Sequence, residues 1–179
     1  MKAYMNNSIT IEILTKEKML QYINQIMSIS KDAFKDKSWS KAQFMYELPD
    51  KWRLSSMVKY ENEVVGFRVD SSYSLRGYKT AHMHYIAILE KYRGMGFSKK
   101  IHIFTKYLCV NADISQMTTE TTEGVSHSQA NRTFEKIGYV RIRDKDLIID
   151  YLKAKNKIDL LPQYIEGISK IYIIKNIEL

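Results

Sequence analysis

One short segment, Tyr92–Lys100, constrains the fold of this chain more than any other part of the sequence. It contains Gly94 and Gly96, and it lies between an apolar run with strand-like alternation and one with helical spacing. Two glycines this close allow a tight turn whose N–H groups approach a ligand without an intervening Cβ. The following helix N-terminus offers unpaired donors and the positive end of the helix dipole. The segment therefore predicts a pyrophosphate-binding turn.

The spacing within this turn argues against two common phosphate-binding motifs. A dinucleotide-binding fingerprint needs a small residue three positions after its second glycine, and that position holds Lys99. A P-loop needs four residues between its glycines and then Lys-Ser/Thr, which the segment lacks. The structural alternative is an ordinary glycine turn before a surface helix.

Composition predicts a soluble globular protein with one domain over residues 1–179. No apolar run approaches the ~20 residues needed to cross a bilayer, and the first residues lack the apolar core of a signal peptide. The single cysteine, Cys109, allows no internal disulfide, so we expect a cytoplasmic location. These features predict no membrane partner.

The net charge of +8 raises the question of nucleic-acid binding. Acidic residues are interspersed in most of the basic clusters, and no nucleic-acid-binding signature occurs. We therefore expect no nucleic-acid partner. We expect most of the charge to lie on the solvated surface, where it would also attract an anionic cofactor or an acidic acceptor.

The hydrophobic pattern predicts strands alternating with helices. The predicted strands are Ile9–Leu14, Leu54–Tyr60, Val64–Ser74, Lys79–Leu89, Ile114–Thr121, Tyr139–Arg143 and Lys170–Ile177. The predicted helices run from Thr15 to Phe34, from Ser40 to before Pro49, from the glycine turn to about Ala112, and from Ser126 to Gly138. Ser40 with Gln43, and Ser126 with Gln129, form capping-box patterns. The segment Asp146–Ile158 fits a helix or a strand, and we favour a helix.

Two motifs in this order resemble the GCN5-related N-acetyltransferase (GNAT) family. One is Arg93–Ser98, which is similar to the family's Arg/Gln-x-x-Gly-x-Gly/Ala turn with a serine in the last small position. The other, Ser128–Tyr139, resembles a later family helix, with Phe134 where many members have tyrosine. The resemblance covers about Ile9 to Arg143. It implies an α/β (α+β) acetyltransferase domain, a GNAT-like mixed central β-sheet flanked by helices on both faces. The motif core is 81–143 and the C-terminal extension is 146–179.

The resemblance implies acetyl-coenzyme A (acetyl-CoA) as the cosubstrate. In the family, the pantetheine arm pairs with the splayed end of the fourth strand and the pyrophosphate lies against the glycine turn. The later helix would flank the pantetheine or its sulfur end. For Phe134, a role in the hydrophobic core fits the sequence almost as well as a cofactor contact. The implied cofactor-binding residues are Ile86, Ala87, Ile88, Arg93, Gly94, Met95, Gly96, Phe97, Ser98, Lys99, Asn131 and Phe134.

Acyl transfer to an amine needs a base, and an imidazole with a pKa near ~6.5 is suited to this task. His82 and His84 are separated by one residue on the fourth strand and so share one face. This His-x-His is similar to that of the serotonin N-acetyltransferases, a branch of the family. A neutral structural role for each histidine stays open. Glu120 and Glu123 are alternative bases, and we expect His102 at the surface.

The family's usual acid toward the departing thiolate is the tyrosine that Phe134 replaces here. That role is therefore vacant or filled by another group, for which Tyr85 and Tyr139 are candidates by nearness in sequence. His127, at the start of the later helix, is a weak candidate for a cofactor contact.

The resemblance implies a small-molecule primary amine as the acceptor. In the family, the first two helices form one wall of the acceptor pocket. Here that region supplies four aromatic residues, which either line the pocket or belong to the core: Phe34, Trp39, Phe44 and Trp52. The alternatives are an amine of a protein or peptide, or a non-catalytic coenzyme A-binding module, because Phe134 replaces the tyrosine. The extension from Asp146 closes one side of the pocket or forms a homodimer contact.

Overall fold

The computed structural model describes residues 9–121 and 127–177, without side chains for 127–130, and these residues form seven strands and seven α-helices. The strands are β1 (Ile9–Ile13), β2 (Ser56–Tyr60), β3 (Glu63–Leu75), β4 (Tyr78–Ile88), β5 (Gln116–Thr121), β6 (Val140–Arg141) and β7 (Lys170–Lys175). The helices are α1 (Lys16–Phe34), α2 (Lys41–Met45), α3 (Lys51–Leu54), α4 (Phe97–Val110), α5 (His127–Lys136), α6 (Lys145–Ala154) and α7 (Leu161–Ile165). Three short 3₁₀ turns cover Lys35–Lys37, Glu90–Tyr92 and Ile158–Leu160.

The strands form one mixed sheet in the order β1-β2-β3-β4-β5-β7-β6. Pairing is antiparallel between β1 and β2, β2 and β3, β5 and β7, and β6 and β7, whereas β4 and β5 are parallel. The parallel register joins Thr80–Met83 to Gln116–Thr119, and β4 itself continues to Ile88. The predicted mixed α/β fold is confirmed.

The chain divides into two compact units. The first comprises the residues up to Val69 together with Tyr85–Thr105, and the second comprises Asp70–His84 together with the residues from Lys106 onward. Strands β3 and β4 and helix α4 contribute to both units. The assignment of residues 1–179 to one acetyltransferase domain stays a prediction.

The first unit has its core beneath the amphipathic helix α1. Thr15 caps this helix by accepting a hydrogen bond from the Lys18 N–H, and the apolar positions recur with helical spacing. The buried core residues include Met19, Ile23, Ile26, Phe44, Met57 and Phe67. In the second unit, helices α6 and α7 supply a separate core, which includes Leu147, Ile148, Tyr151, Leu152 and Tyr164.

Local sequence signals account for most element boundaries. The capping box of Ser40 and Gln43 is present, and Glu61 and Asn62 adopt the positive φ values of a tight hairpin turn. The Ser126–Gln129 pattern lies outside the described side chains. The short helices α3 and α7 were not predicted, because four or five residues carry too little periodicity. Strand β6 is shorter than the predicted Tyr139–Arg143.

Among the residues that the structure describes, no helix combines the length and the apolar character that crossing a membrane requires.

Candidate active site

The glycine loop connects the end of β4 to the start of α4 in the first unit. Gly94 and Gly96 have φ values of 82° and 80°, a backbone conformation that favours glycine. A Cβ built at either glycine meets no atom within 4 Å, so the space in front of the loop is open. The loop residues are exposed, whereas Phe97 is only 2% exposed and anchors the helix start.

The Arg93 side chain holds the loop in shape. Its Nε donates to the Ile88 carbonyl oxygen at 3.0 Å, and its Nη2 donates to Asp32 Oδ2 at 3.2 Å. The same Asp32 oxygen accepts from the Glu90 N–H at 2.9 Å. Arg93 therefore positions the loop backbone. The sequence analysis did not identify Asp32, because nothing local connects the end of α1 to this loop.

A second brace fixes the other side of the loop. Glu63 accepts hydrogen bonds from the Tyr92 hydroxyl at 2.7 Å and from Lys91 Nζ at 3.1 Å, and these two contacts lower the pKa of Glu63. The rings of Tyr92 and Phe97 lie 5.6 Å and 6.0 Å from the Tyr60 ring. The loop conformation is therefore set before any ligand binds.

The loop fits a pyrophosphate group. The first N–H groups of an α-helix have no acceptor within the helix, and they carry the positive end of its dipole. Helix α4 presents this end beside two exposed cations, Lys99 and Lys100. An open glycine turn, unpaired donors and positive charge together form an anion-binding site.

The end of β4 packs closely against β3 in the first unit. Ala87 is buried, while Ile86 and Ile88 are half-buried. A Cβ at Gly66 would lie 2.9 Å from the Ala87 carbonyl oxygen and 2.3 Å from Ile88 Cδ1. The Leu89 N–H donates to the Val65 carbonyl oxygen at 2.9 Å. This packing fixes the backbone of Ile86–Ile88.

His84 belongs to the second unit and keeps part of its surface exposed. Its Nε2 lies 2.7 Å from the Ser71 hydroxyl oxygen, within hydrogen-bonding distance. The rings of His82 and His84 lie edge to face on β4, with centroids 4.7 Å apart. His84 is therefore the more accessible of the two histidines.

His82 is only 2% exposed, and two hydroxyl groups lie near its Nδ1. Thr118 Oγ1 is 3.1 Å away, and the Tyr151 hydroxyl oxygen is 3.5 Å away. Tyr73 contacts the His82 ring edge to face, and its hydroxyl lies 3.0 Å from Thr118 Oγ1. Burial raises the pKa of Tyr73, which keeps this hydroxyl protonated.

Glu120 lies on β5 in the same unit and is bound by three groups of the C-terminal segment. Lys157 forms an ion pair with it, and the hydroxyls of Tyr164 and Tyr151 donate to it at 2.7 Å and 3.3 Å. Burial alone raises the pKa of Glu120, but the Lys157 ammonium and the two hydroxyls outweigh burial and lower it. A lowered pKa makes Glu120 a weaker proton acceptor. Glu123 lies outside the described residues.

Lys155 adds a further cation to this cluster. Its Nζ lies 4.4 Å from the centroid of the Tyr73 ring, and burial lowers the pKa of Lys155 to about 8. The sequence analysis named Glu120 as a candidate base, and it did not identify Lys155 or Lys157. No local pattern distinguishes these lysines from the many solvated ones.

Asn131 and Phe134 occupy α5 in the second unit. Thr121 Oγ1 donates to Asn131 Oδ1 at 3.0 Å. Phe134 is 7% exposed, and its ring lies 5.8 Å from the Tyr139 ring and 5.7 Å from the Tyr172 ring. These contacts favour the core role for Phe134 that the sequence analysis left open.

Of the other two histidines, His102 is buried, and the side chain of His127 is not described. The expectation that His102 is a surface residue was wrong, because it is 2% exposed and its Nδ1 lies 2.9 Å from Arg68 Nη1. The His127 side chain lies outside the described part of the chain. No cluster of His, Cys, Asp or Glu suited to a metal ion occurs within the described ranges.

Three of the four predicted acceptor-pocket aromatics, Phe34, Trp39 and Phe44, cluster around Tyr85 in the first unit, whereas Trp52 donates to Glu47. Phe34 and Trp39 lie 4.3 Å and 4.9 Å from the Tyr85 ring, and Phe44 is fully buried. The Tyr85 hydroxyl lies 2.5 Å from the Ser30 hydroxyl, and burial raises the pKa of Tyr85. Phe34 is 37% exposed, so it presents part of its ring to solvent.

Comparison with known proteins identifies the family. The sequence model of the acetyltransferase (GNAT) family matches residues 21–139. No curated protein sequence gives a significant match. Ard1 from Thermoplasma volcanium has a similar structure (18% identity, 95% of this chain and 99% of that chain covered, TM-score 0.68).

Two further structures have a similar fold and different acceptors in their names. One is the ribosomal-protein-S18-alanine N-acetyltransferase from Escherichia coli (14% identity, 96% of each chain covered, TM-score 0.64). The other is a glucosamine N-acetyltransferase region of a fungal multi-domain β-N-acetylglucosaminidase (13% identity, 80% of this chain and 18% of that chain covered, TM-score 0.65). The chain belongs to the acetyltransferase (GNAT) family, whose members are acetyl-CoA-dependent acyltransferases that act on amines.

Proposed function

We propose that this protein transfers the acetyl group of acetyl-CoA directly to the primary amine of a small molecule, in a ternary complex. The observation that carries the proposal is the braced, open glycine loop at the start of α4, which lies beside the exposed Lys99 and Lys100. Acetyl-CoA, when bound, supplies an acetyl thioester: an amide bond forms to the amine nitrogen, the carbon–sulfur bond breaks, and a free thiol leaves.

In this proposal the cofactor-binding residues divide between loop, strand and helix. The backbone N–H groups from Arg93 to Ser98 bind the pyrophosphate, and Lys99 adds charge. The polar backbone groups of Ile86–Ile88 pair with the amides of the pantetheine arm. The parallel register of β4 with β5 ends at Met83, which supports this role for the rest of β4. Asn131 flanks the arm, and Phe134, packed against Tyr139 and Tyr172, supports the helix that carries Asn131.

His84 is the proposed general base. It is the more accessible histidine, and Ser71 orients its ring. Its task is to take the proton that the amine loses as the amide bond forms, for which a pKa near neutrality is suited. His82 packs edge to face against its ring, and the proposal rests in part on the resemblance of this pair to the His-x-His of the serotonin N-acetyltransferases. Glu120 is the alternative base, and its lowered pKa argues for a supporting electrostatic role instead.

A protein or peptide amine is the second candidate acceptor. The name of one similar structure specifies the alanine of a ribosomal protein, whereas that of another specifies glucosamine. A partly exposed Phe34 at the end of α1 suits the apolar part of a small amine. The absence of a tyrosine at Phe134 favours a non-catalytic coenzyme A-binding module as the third candidate. A single buried cysteine supports the proposed cytoplasmic location.

The test is an acceptor panel with thiol release as the readout and mass spectrometry of the products. The panel contains polyamines, arylalkylamines, amino sugars and peptides with free N-termini. We expect turnover with at least one small amine and a mass increase of one acetyl group on it. Turnover with peptides alone would replace the proposed acceptor class. Tight acetyl-CoA binding without turnover on any amine would favour the non-catalytic module.

A further inference from the structure

The second unit contains a hydrogen-bonded chain from His82 to a charged carboxylate. The Tyr151 hydroxyl, on α6, lies 3.3 Å from Glu120 Oε2 and 3.5 Å from His82 Nδ1. Glu120 in turn is paired with Lys157 and accepts from Tyr164. Tyr151 therefore connects the buried imidazole to a carboxylate that is ionised at neutral pH.

The direction of these hydrogen bonds follows from the acceptors available. Glu120 is an acceptor only, so the Tyr151 hydroxyl donates its hydrogen to Glu120 and presents oxygen lone pairs to His82. The Thr118 hydroxyl has the Ala81 carbonyl oxygen as an acceptor at 3.3 Å, and its oxygen also faces His82 Nδ1. When the Thr118 hydroxyl donates to Ala81, both oxygens at Nδ1 are acceptors, and this arrangement favours a hydrogen on that nitrogen.

We infer that Tyr151 is a positioning residue, which with Glu120 holds His82, the neighbour of the proposed base His84, in the Nδ1–H tautomer. This inference rests on the proposed function for its role in catalysis. A carboxylate connected through Tyr151 also stabilises the imidazolium form of His82. The C-terminal segment, which has no role in the family motifs, thereby tunes the histidine pair.

Each strand or helix that packs against His82 contributes a charged or titratable group to its surroundings. Tyr73 is on β3, His84 is on β4, Glu120 is on β5, and Tyr151 is on α6. Lys155 lies over the Tyr73 ring, and Lys157 and Tyr164 contact Glu120. Tyr151 and Tyr164 both donate to Glu120, and the Tyr151 hydroxyl oxygen also lies 3.5 Å from His82 Nδ1. Tyr164 is therefore a matched control.

The experiment measures the His82 ring by ¹⁵N NMR in the wild-type protein, Tyr151→Phe and Tyr164→Phe. His82→Gln identifies the His82 signals by their disappearance. The wild-type protein should show a protonated Nδ1 and an unprotonated Nε2 above the pKa of His82. Tyr151→Phe should lower that pKa by about half a pH unit and weaken the tautomer preference. Tyr164→Phe should keep both close to wild type.

Three results would overturn the inference. These are an Nε2–H tautomer in the wild-type protein, no change in Tyr151→Phe, or an equal change in both tyrosine variants. The NMR readout needs no acetyl transfer, so it separates this inference from the proposed function.

Discussion

Asp32 Oδ2 lies 3.2 Å from the Nη2 atom of Arg93, and this ion pair ties the glycine loop to the last turn of α1. The same oxygen accepts from the Glu90 N–H, so one carboxylate holds two points of the loop. The anion-binding backbone is thus held in position by the first unit itself.

Replacing Asp32 by alanine should weaken acetyl-CoA binding. Loss of a partly exposed ion pair is worth about 1 kcal/mol, which corresponds to a roughly five-fold higher Kd. Calorimetric titration of acetyl-CoA measures this change. Asp36→Ala, which removes an exposed carboxylate from the following 3₁₀ turn, is the control and should bind as wild type. An unchanged Kd in Asp32→Ala would remove the bracing role of Asp32.

Gly96→Ala and Gly77→Ala separate backbone strain from ligand binding. Both glycines have positive φ values, 80° and 81°, and a Cβ at either meets no atom within 4 Å. Each substitution should lower the free energy of unfolding by about 1 kcal/mol. Only Gly96→Ala should raise the Kd of acetyl-CoA, by roughly ten-fold, because its methyl group enters the approach of the ligand. Equal Kd values for both variants would place the cofactor elsewhere.

Glu120→Gln should destabilise the protein in a pH-dependent way. The pKa of Glu120 is lowered on folding, so its contribution to stability is present above its unfolded pKa of ~4.5 and is lost as pH falls through the folded value. Urea denaturation at pH 7 should show a loss of about 2 kcal/mol, between the values for exposed and fully buried pairs. The two curves should converge as pH falls below the lowered folded pKa of Glu120. A difference independent of pH would show that the charge is unimportant.

Lys51→Met should destabilise the first unit even though it removes a buried charge. Lys51 Nζ donates to the carbonyl oxygens of Phe44 and Tyr46, both at 2.6 Å, and the substitution leaves these acceptors unpaired. The expected loss is about 1 to 3 kcal/mol in urea denaturation. A variant as stable as wild type would show that these hydrogen bonds contribute little.

The same pair of proteins tests the titration of Lys51. Burial lowers its pKa to about 8, below the unfolded value, so the charged form penalises the folded state at lower pH. This penalty is fully present below pH 8 and disappears as pH rises above the unfolded value of ~10.4. The stability difference between wild type and Lys51→Met should therefore grow between pH 8 and pH 10. A constant difference would contradict the lowered pKa.

Local patterns in the sequence predict much of this fold. The alternation of β1, the helical spacing of α1 and the glycines of the loop each identify their element, because a single segment carries the whole signal. The pairs that shape the candidate site join distant segments instead. Arg93 meets Asp32 across 61 positions, and Glu120 meets Lys157 across 37. Such pairs form only when distant helices and strands pack together, so no local sequence pattern predicts them.

His102 illustrates the same limit on a single helix. Its position on α4 suggested a solvated side chain, yet it is buried with its Nδ1 close to the Arg68 guanidinium. Burying a polar side chain costs free energy unless a hydrogen-bond partner is present. Helical spacing carries no information about that partner, so burial of His102 was not predictable.

The central claim is that His84 accepts the amine proton during acetyl transfer. The most direct measurement is kcat for the best acceptor of the panel at saturating acetyl-CoA, for wild type and His84→Ala, with the Kd of acetyl-CoA measured for both. We predict at least a roughly hundred-fold lower kcat and an unchanged Kd. A His84→Ala variant that keeps the wild-type kcat would contradict the account.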